Sequence, residues 1–493
     1  MKALVLPILV PLGTAAILML APKRPLLQRW IALAGSVVLL GCAVALFRRV
    51  EAEGIQALQM GGWPAPFGIT LVADLLAAML VVAVGLVGVA VTSAAFAGVD
   101  PRREAFGYHP LIQIMLMGVA GAFLTGDLFN LYVSFEVMLV ASFVLMAMHR
   151  TSAQVEAAFK YVTINLIASS IFLTALGLLY GAAGTLNMAD LATVWPAMRT
   201  PGIDIVLAVL FLIAFGIKAG LFPLFFWLPA SYHTPPAAIG AAFAGLLTKV
   251  GVYALMRVFT LLLQGAPPAL FSLLLGMSAA TMVIGLVAAM NERDFRRVLS
   301  FNLVGHIGYT TAGLSLLTPA ALAGAIFYLL HHIVVITNLF LVSGVLLRLR
   351  RTTDMAALGG LYRHQPVFAV LAMVPLFSLA GVPPLSGFLG KLAILEGTFE
   401  AEAYWVGGLV LVVGLLTLLS MARVWAEAFW RPSAGAHDMA APGRPLLLTI
   451  SILSLVTLGM TIGAEPLFEL AARGAHQLLQ RDDYIRAVLG GTP

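Results

Sequence analysis

The sequence is short of charge. Asp, Glu, Lys and Arg make up 10% of its 493 residues, where a soluble domain carries about 25%. Hydrophobic residues make up 61%, and the mean hydropathy is +1.01. So few charges cannot cover that much apolar surface in water, which excludes soluble enzymes, nucleic-acid binders and disordered chains. Cysteine is nearly missing too. The single one, Cys42, lies inside an apolar run, so no internal disulfide or thiolate metal site can form, and it reads as a small buried hydrophobe. No polar stretch is long enough for a soluble domain. The longest breaks between apolar runs fall near 48–69, 181–203, 348–366 and 428–444.

What the chain does have is long apolar runs, about 14 of them. They lie near 3–21, 31–47, 70–92, 109–125, 127–147, 160–180, 204–229, 238–260, 269–290, 298–316, 320–347, 367–395, 405–427 and 445–463. Runs of about 20 residues cross a roughly 30 Å hydrocarbon core as helix. The expected fold is an all-α polytopic membrane protein forming one integral domain over residues 1–493. Ala3–Ala21 lacks a small-x-small cleavage site and runs into Pro22-Lys23-Arg24-Pro25, so it reads as a retained span. With the N-terminus outside, 17 of the 28 Lys and Arg fall in inside loops, eight outside and three within spans. That bias places both termini outside. It also accounts for the net charge of +6 without nucleic acid.

The three cations within spans are Lys218, Lys249 and Lys391, and Glu136 lies near the middle of another span. A charge at the bilayer centre costs about 2.5–3.5 kcal/mol, so such residues pair or face a water-filled path. Asp74, Asp127, Asp204 and Glu396 sit nearer span ends and read as solvated interfacial charges. His331 and His332 are adjacent in one apolar run, and His306 lies in Gly305-His306-Ile307-Gly308. Consecutive helix residues point about 100° apart, so one of the pair can face a given path. A haem would need a further axial ligand and has no attachment motif, and no cofactor is expected. His109, His149 and His364 read as interfacial. Ammonium, imidazole and carboxylate can each hold or release a proton when burial moves their pKa toward neutrality. A path of Lys and His with one central Glu suits protons better than bare metal cations, which want oxygen ligands. Inter-helix staples are the structural alternative.

Two spans also carry breakers. Ala219-Gly220-Leu221-Phe222-Pro223-Leu224 and Ala380-Gly381-Val382-Pro383-Pro384-Leu385 share Ala-Gly-x-x-Pro-Leu at an offset of 161 residues. Gly220 with Pro223, and Gly381 with Pro383 and Pro384, should interrupt their helices. Paired interruptions in corresponding halves point to a transporter's internal repeat and its ion path. An offset of about five spans inverts the second unit. The expected units are about 108–265 and about 269–430, each a five-helix repeat with one broken helix.

Asp127-Leu128-Phe129-Asn130-Leu131-Tyr132-Val133-Ser134-Phe135-Glu136-Val137-Met138 resembles the fifth-helix motif of the proton-conducting antiporter-like subunits. That family comprises the large membrane subunits of respiratory complex I, membrane-bound hydrogenases and Mrp-type cation/proton antiporters. Leu246-Leu247-Thr248-Lys249-Val250-Gly251-Val252-Tyr253, Gly381 through Lys391, and Phe295-Arg296-Arg297-Val298-Leu299-Ser300 match it too. The similarity runs from about residue 70 to 430 and looks most like the D-type subunits of the Mrp branch. The resemblance implies a transporter component rather than an enzyme, with other membrane subunits of an antiporter complex as partners and protons and Na+ as ions. It implies that Glu136 is the fifth-helix carboxylate and Lys218 its partner. Lys249 is then the central relay, His331 or His332 the bridge, and Lys391 the terminal site. Three positions depart from the pattern. His306 stands where glutamine is frequent, Ile336 where a lysine is expected after the His pair, and Ala230 where many relatives have aspartate. A subunit of a redox-driven pump of the complex I or hydrogenase type remains an alternative, as do a structural scaffold and a self-sufficient single-chain antiporter.

Overall fold

The computed structural model describes residues 2–21, 24–99, 104, 106–148, 151–198, 202–432 and 442–490. His149 and the loop cations Lys23, Arg102, Arg103, Arg150 and Arg199 lie outside the described residues. Helices α1 (Leu6–Leu20) and α2 (Pro25–Glu53) lead into an antiparallel hairpin of β1 (Gln56–Gln59) and β2 (Thr70–Ala73), with Gln56 opposite Ala73. The chain continues through α3 (Leu75–Gly98), α4 (Tyr108–Leu124), α5 (Leu128–Ala147), α6 (Ser152–Ala183) and α7 (Met188–Met198). Next come α8 (Ile203–Ala219), the short α9 (Trp227–Ser231) and α10 (Ala237–Leu261). Then follow α11 (Pro268–Asn291), α12 (Phe295–Leu316), α13 (Pro319–Arg350), α14 (Pro366–Ala380) and α15 (Ser386–Glu400). Helices α16 (Tyr404–Trp430), α17 (Arg444–Ile462), α18 (Ala464–Leu479) and α19 (Asp482–Leu489) complete it.

Among the described residues, nine helices are long and apolar enough to cross a membrane, and α1, α4 and α14 are shorter apolar helices. The chain is an all-helical, multi-pass membrane protein. Helix starts are marked by polar caps. Asp74, Asp127, Thr151, Asp294 and Thr318 each accept a hydrogen bond from a first-turn N–H group that the helix itself cannot satisfy.

Two helices form the centre. The apolar stretches of α10 and α13 are buried along their full length, while α2, α6, α11, α16 and α17 turn large apolar side chains outward. Outward-facing Leu, Val and Phe suit contact with lipid tails or another subunit. Helix α10 has a widened π-helical turn at Phe243–Leu247, a local departure often found at functional sites.

Helices α8 and α14 stop at the two Ala-Gly-x-x-Pro-Leu segments. Gly220 (φ 85°) and Gly381 (φ 84°) take the left-handed conformation just past each helix end, which favours glycine because it has no Cβ. The closures match bond for bond. Leu221 N–H donates to Gly216 at 2.9 Å, and Val382 N–H donates to Phe377 at 3.0 Å.

Candidate proton-relay site

Helix α5 brings Glu136 against α6. There Ser169 Oγ donates to the Glu136 carboxylate and accepts from Lys218 Nζ at 3.0 Å. Lys218 is 4% exposed, sits in the last turn of α8 and lies 4.7 Å from the Phe135 ring centroid. The α8 break presses on α10. A methyl group at Gly251 would come within 2.5 Å of Ala219 N and 2.8 Å of Lys218 C. Half a turn before that contact, Lys249 Nζ donates at 2.6 Å to the Ala244 carbonyl in the widened turn.

The other face of α10 meets α13, where a methyl at Gly245 would strike Thr337 Oγ1. This contact is next to the histidines. The ring centroids of His306 and His332 are 5.2 Å apart. His306 Nδ1 is hydrogen-bonded to Tyr328 OH, and His331 Nδ1 lies 3.0 Å from Ser386 Oγ. The Nε2 atoms of His306, His331 and His332 are buried without a hydrogen-bond partner among the described residues.

Lys391 closes the row. It projects from α15 and donates to the carbonyls of Leu379 at 3.1 Å and Ala380 at 3.0 Å, the last of α14. A cation at a helix C-terminus satisfies orphan carbonyls and opposes the negative end of the helix dipole. Tyr309 lies beneath it, with its ring centroid 5.4 Å from Nζ. Beside Lys391 a cavity of about 220 Å³ opens between α14, α15 and α16. The structure therefore collects Glu136 and Lys218 at one end, Lys249 in the middle, and His306, His331, His332 and Lys391 at the other. Ile336 is fully buried on α13, one turn past His332.

Some assignments from sequence need correction. Asp74 is not a solvated interfacial charge. It is 1% exposed and pairs with Arg257 at 2.5 Å, because α18 packs on α3 and Tyr484 of α19 stacks on the guanidinium. His109 is likewise buried, 3.2 Å from Glu104. Asp127 is buried at 8% exposure and caps α5, Asp204 is half-buried, and Glu396 and His364 are exposed. Cys42 is half-buried on α2 rather than fully enclosed. Residue type in a run does not single out Ser169, Tyr309, Tyr328 or Ser386. Tyr328 was within reach of the pattern, since it lies three and four residues before His331 and His332 on one helix face. Tyr309 stands three residues after His306 in the same way.

A family profile described as NADH:quinone oxidoreductase/Mrp antiporter, TM matches residues 125–417. The chain belongs to this family. The matched range includes all seven titratable residues of the row, from Glu136 to Lys391. Among family members, the D-type Na(+)/H(+) antiporter subunit of Alkalihalophilus pseudofirmus is 43% identical over 487 residues, covering 98% of this chain and 99% of the relative. Its namesake in Bacillus subtilis is 38% identical over 488 residues, covering 98% and 99%. A chain in the structure of the Mrp complex from Dietzia sp. DQ12-45-1b superposes with a TM-score of 0.92 at 32% identity, covering 99% of this chain and 100% of that one. The likeness thus extends well beyond residues 70–430.

Proposed function

We propose that the chain is the proton-translocating subunit of a multisubunit Na+/H+ antiporter in the cell membrane, with other membrane subunits as its partners. It is a transporter component rather than an enzyme. The names of its relatives supply the ion pair. The observation that carries the mechanism is the placement of Lys218 and Lys391 at the C-terminal ends of two interrupted helices, with Lys249 and three histidines between them. Protons pass from the Glu136–Ser169–Lys218 end to Lys249, then through His306 and His331 or His332 to Lys391. Movement that opens or closes the Glu136–Lys218 contact changes how firmly Lys218 holds its proton, since a nearby carboxylate favours the charged ammonium.

The matching closures at Gly220 and Gly381 support two inverted five-helix repeats, about 108–265 and about 269–430, within about 14 spans. The distribution of Lys and Arg supports both termini outside. The test is cation-induced ΔpH in vesicles carrying the complete complex. Glu136→Ala and Lys218→Ala should each abolish the Na+-dependent signal while the complex stays assembled. Transport that survives both substitutions would refute the relay, and a wild type silent to cations but active with a redox donor would favour the redox-driven pump.

A further inference from the structure

Where α3 and α13 end and α6, α10, α12 and α17 begin, a cavity of about 430 Å³ lies between the helix ends. Arg296 stands ten residues before His306 on α12 and Arg348 sixteen after His332 on α13, so the cavity is several turns from the histidines, and the proposed relay makes no use of it. Arg296 and Arg348 line it together with Gln154, Thr234, Ala237 and Ala238. No carboxylate is among its described lining residues.

Arg296 is 6% exposed. Its Nε donates to Ser343 Oγ at 3.0 Å and its Nη1 to the His233 carbonyl at 3.1 Å, while Nη2 is buried with no hydrogen-bond partner among the described residues. A buried guanidinium nitrogen without an acceptor is costly. The neighbouring Asp294 contributes opposite charge but no acceptor for Nη2, because its carboxylate accepts from the backbone N–H groups of Arg296 and Arg297 and from Thr353 Oγ1. Arg348 Nη1 donates to the Ala97 carbonyl at 2.8 Å, which fixes the second guanidinium at the wall. Ala237 and Ala238 open α10, whose first internal closure is Gly240 N–H to Pro236. Their own N–H groups therefore have no acceptor within the helix. Two guanidiniums and a helix N-terminus converging on one cavity make a phosphate-type site.

We propose that this cavity binds a phosphate-ester anion, held by Arg296, Arg348 and the first turn of α10. Leu347 and Leu446 give it an apolar wall, and it lies at the ends of membrane-crossing helices. An anionic phospholipid headgroup meets both features, and basic pockets between such helices recognise headgroups of this kind. Free phosphate carries the same chemistry. A bound anion would tie the ends of α10, α12 and α13, the helices that carry Lys249, His306 and the histidine pair.

The test is thermal unfolding of the complete complex, purified and delipidated in a neutral detergent, with added dioleoylphosphatidylglycerol, dioleoylphosphatidylcholine or inorganic phosphate. Phosphatidylglycerol should raise the melting temperature of the wild type by several degrees more than phosphatidylcholine does. Arg296→Gln and Arg348→Gln should each lose most of that difference, and Arg296→Lys should keep it. An Arg-dependent shift from inorganic phosphate alone would assign the site to the free anion. If Arg296→Gln fails to assemble, Arg348→Gln and Arg296→Lys decide the matter. Equal shifts from the two lipids, or the same shift in wild type and Arg348→Gln, would overturn the site. Transport is not read, so this outcome is independent of the relay.

Discussion

Lys218 and Glu136 are joined through one hydroxyl: Ser169 accepts from the ammonium at 3.0 Å and donates to the carboxylate. The ammonium of Lys218 also lies over the face of Phe135, a weaker partner for a cation than a carboxylate. The ammonium is thus held close to its counter-charge without being locked to it. A small rotation of α5, α6 or α8 would make or break the bridge.

Ser169→Ala should therefore impair transport while leaving the fold intact. A hydrogen bond to a charged group contributes about 1.5–3 kcal/mol, so a transport loss of roughly tenfold or more is expected. Ser169→Thr keeps the hydroxyl and should retain most activity. Initial rates of Na+-dependent ΔpH in vesicles of the complete complex measure both. A fully active alanine variant would show that the bridge is incidental.

Lys391 poses a sharper question, because it both caps α14 and ends the row of titratable groups. Lys391→Gln keeps an N–H donor for the Leu379 and Ala380 carbonyls but cannot carry a proton at neutral pH. Lys391→Met removes both abilities. The glutamine variant should assemble like wild type and lose ΔpH, whereas the methionine variant should also lose assembled complex on size-exclusion chromatography. Normal transport by the glutamine variant would reduce Lys391 to a helix cap.

The membrane class and the row of buried charges were legible in the sequence because each rests on residue type in a run. A lysine among twenty apolar residues has few harmless explanations. The breaks at Gly220 and Gly381 were legible for the same reason, since glycine and proline act on their own backbone. Asp74 was not. Its place near a span end suggested solvent, and only the packing of α18 and α19, some 400 residues away in sequence, makes it buried. Ser169 was hidden too, because a serine in an apolar helix commonly bonds its own backbone and nothing local marks one that joins two charges. The widened turn that presents the Ala244 carbonyl to Lys249 has no sequence mark at all.

The Asp74–Arg257 pair gives a prediction about assembly. Both partners are buried, at 1% and 3% exposure, and Tyr253 and Tyr484 flank the guanidinium. Removing one partner strands a buried charge, at a cost of about 3–5 kcal/mol. Asp74→Asn and Arg257→Met should each lower the yield and melting temperature of the complex. The double variant should recover part of the loss, since an uncharged site leaves no ion unpaired. A double variant as unstable as the sum of the singles would mean that the two residues act separately.

Glu104 lies outside the spans and supplies a pH dependence. Burial alone would raise its carboxyl, but hydrogen bonds from His109 and from Arg29 more than offset this and hold it below the usual carboxylate value of 4.5. Arg29 binds both oxygens, Nε at 2.8 Å and Nη2 at 2.9 Å. A carboxylate with a lowered folded pKa adds stability above its unfolded pKa, and that stability is lost as pH falls through the folded value. The wild-type complex should therefore melt higher than Glu104→Gln at neutral pH. The two curves should converge as the pH falls through the folded value, which lies below 4.5, where the wild-type carboxyl takes up its proton and the Arg29 contact weakens. Melting temperatures of both proteins across pH 3–7 measure the gap, and a gap that stayed constant with pH would assign the tie to packing rather than to charge.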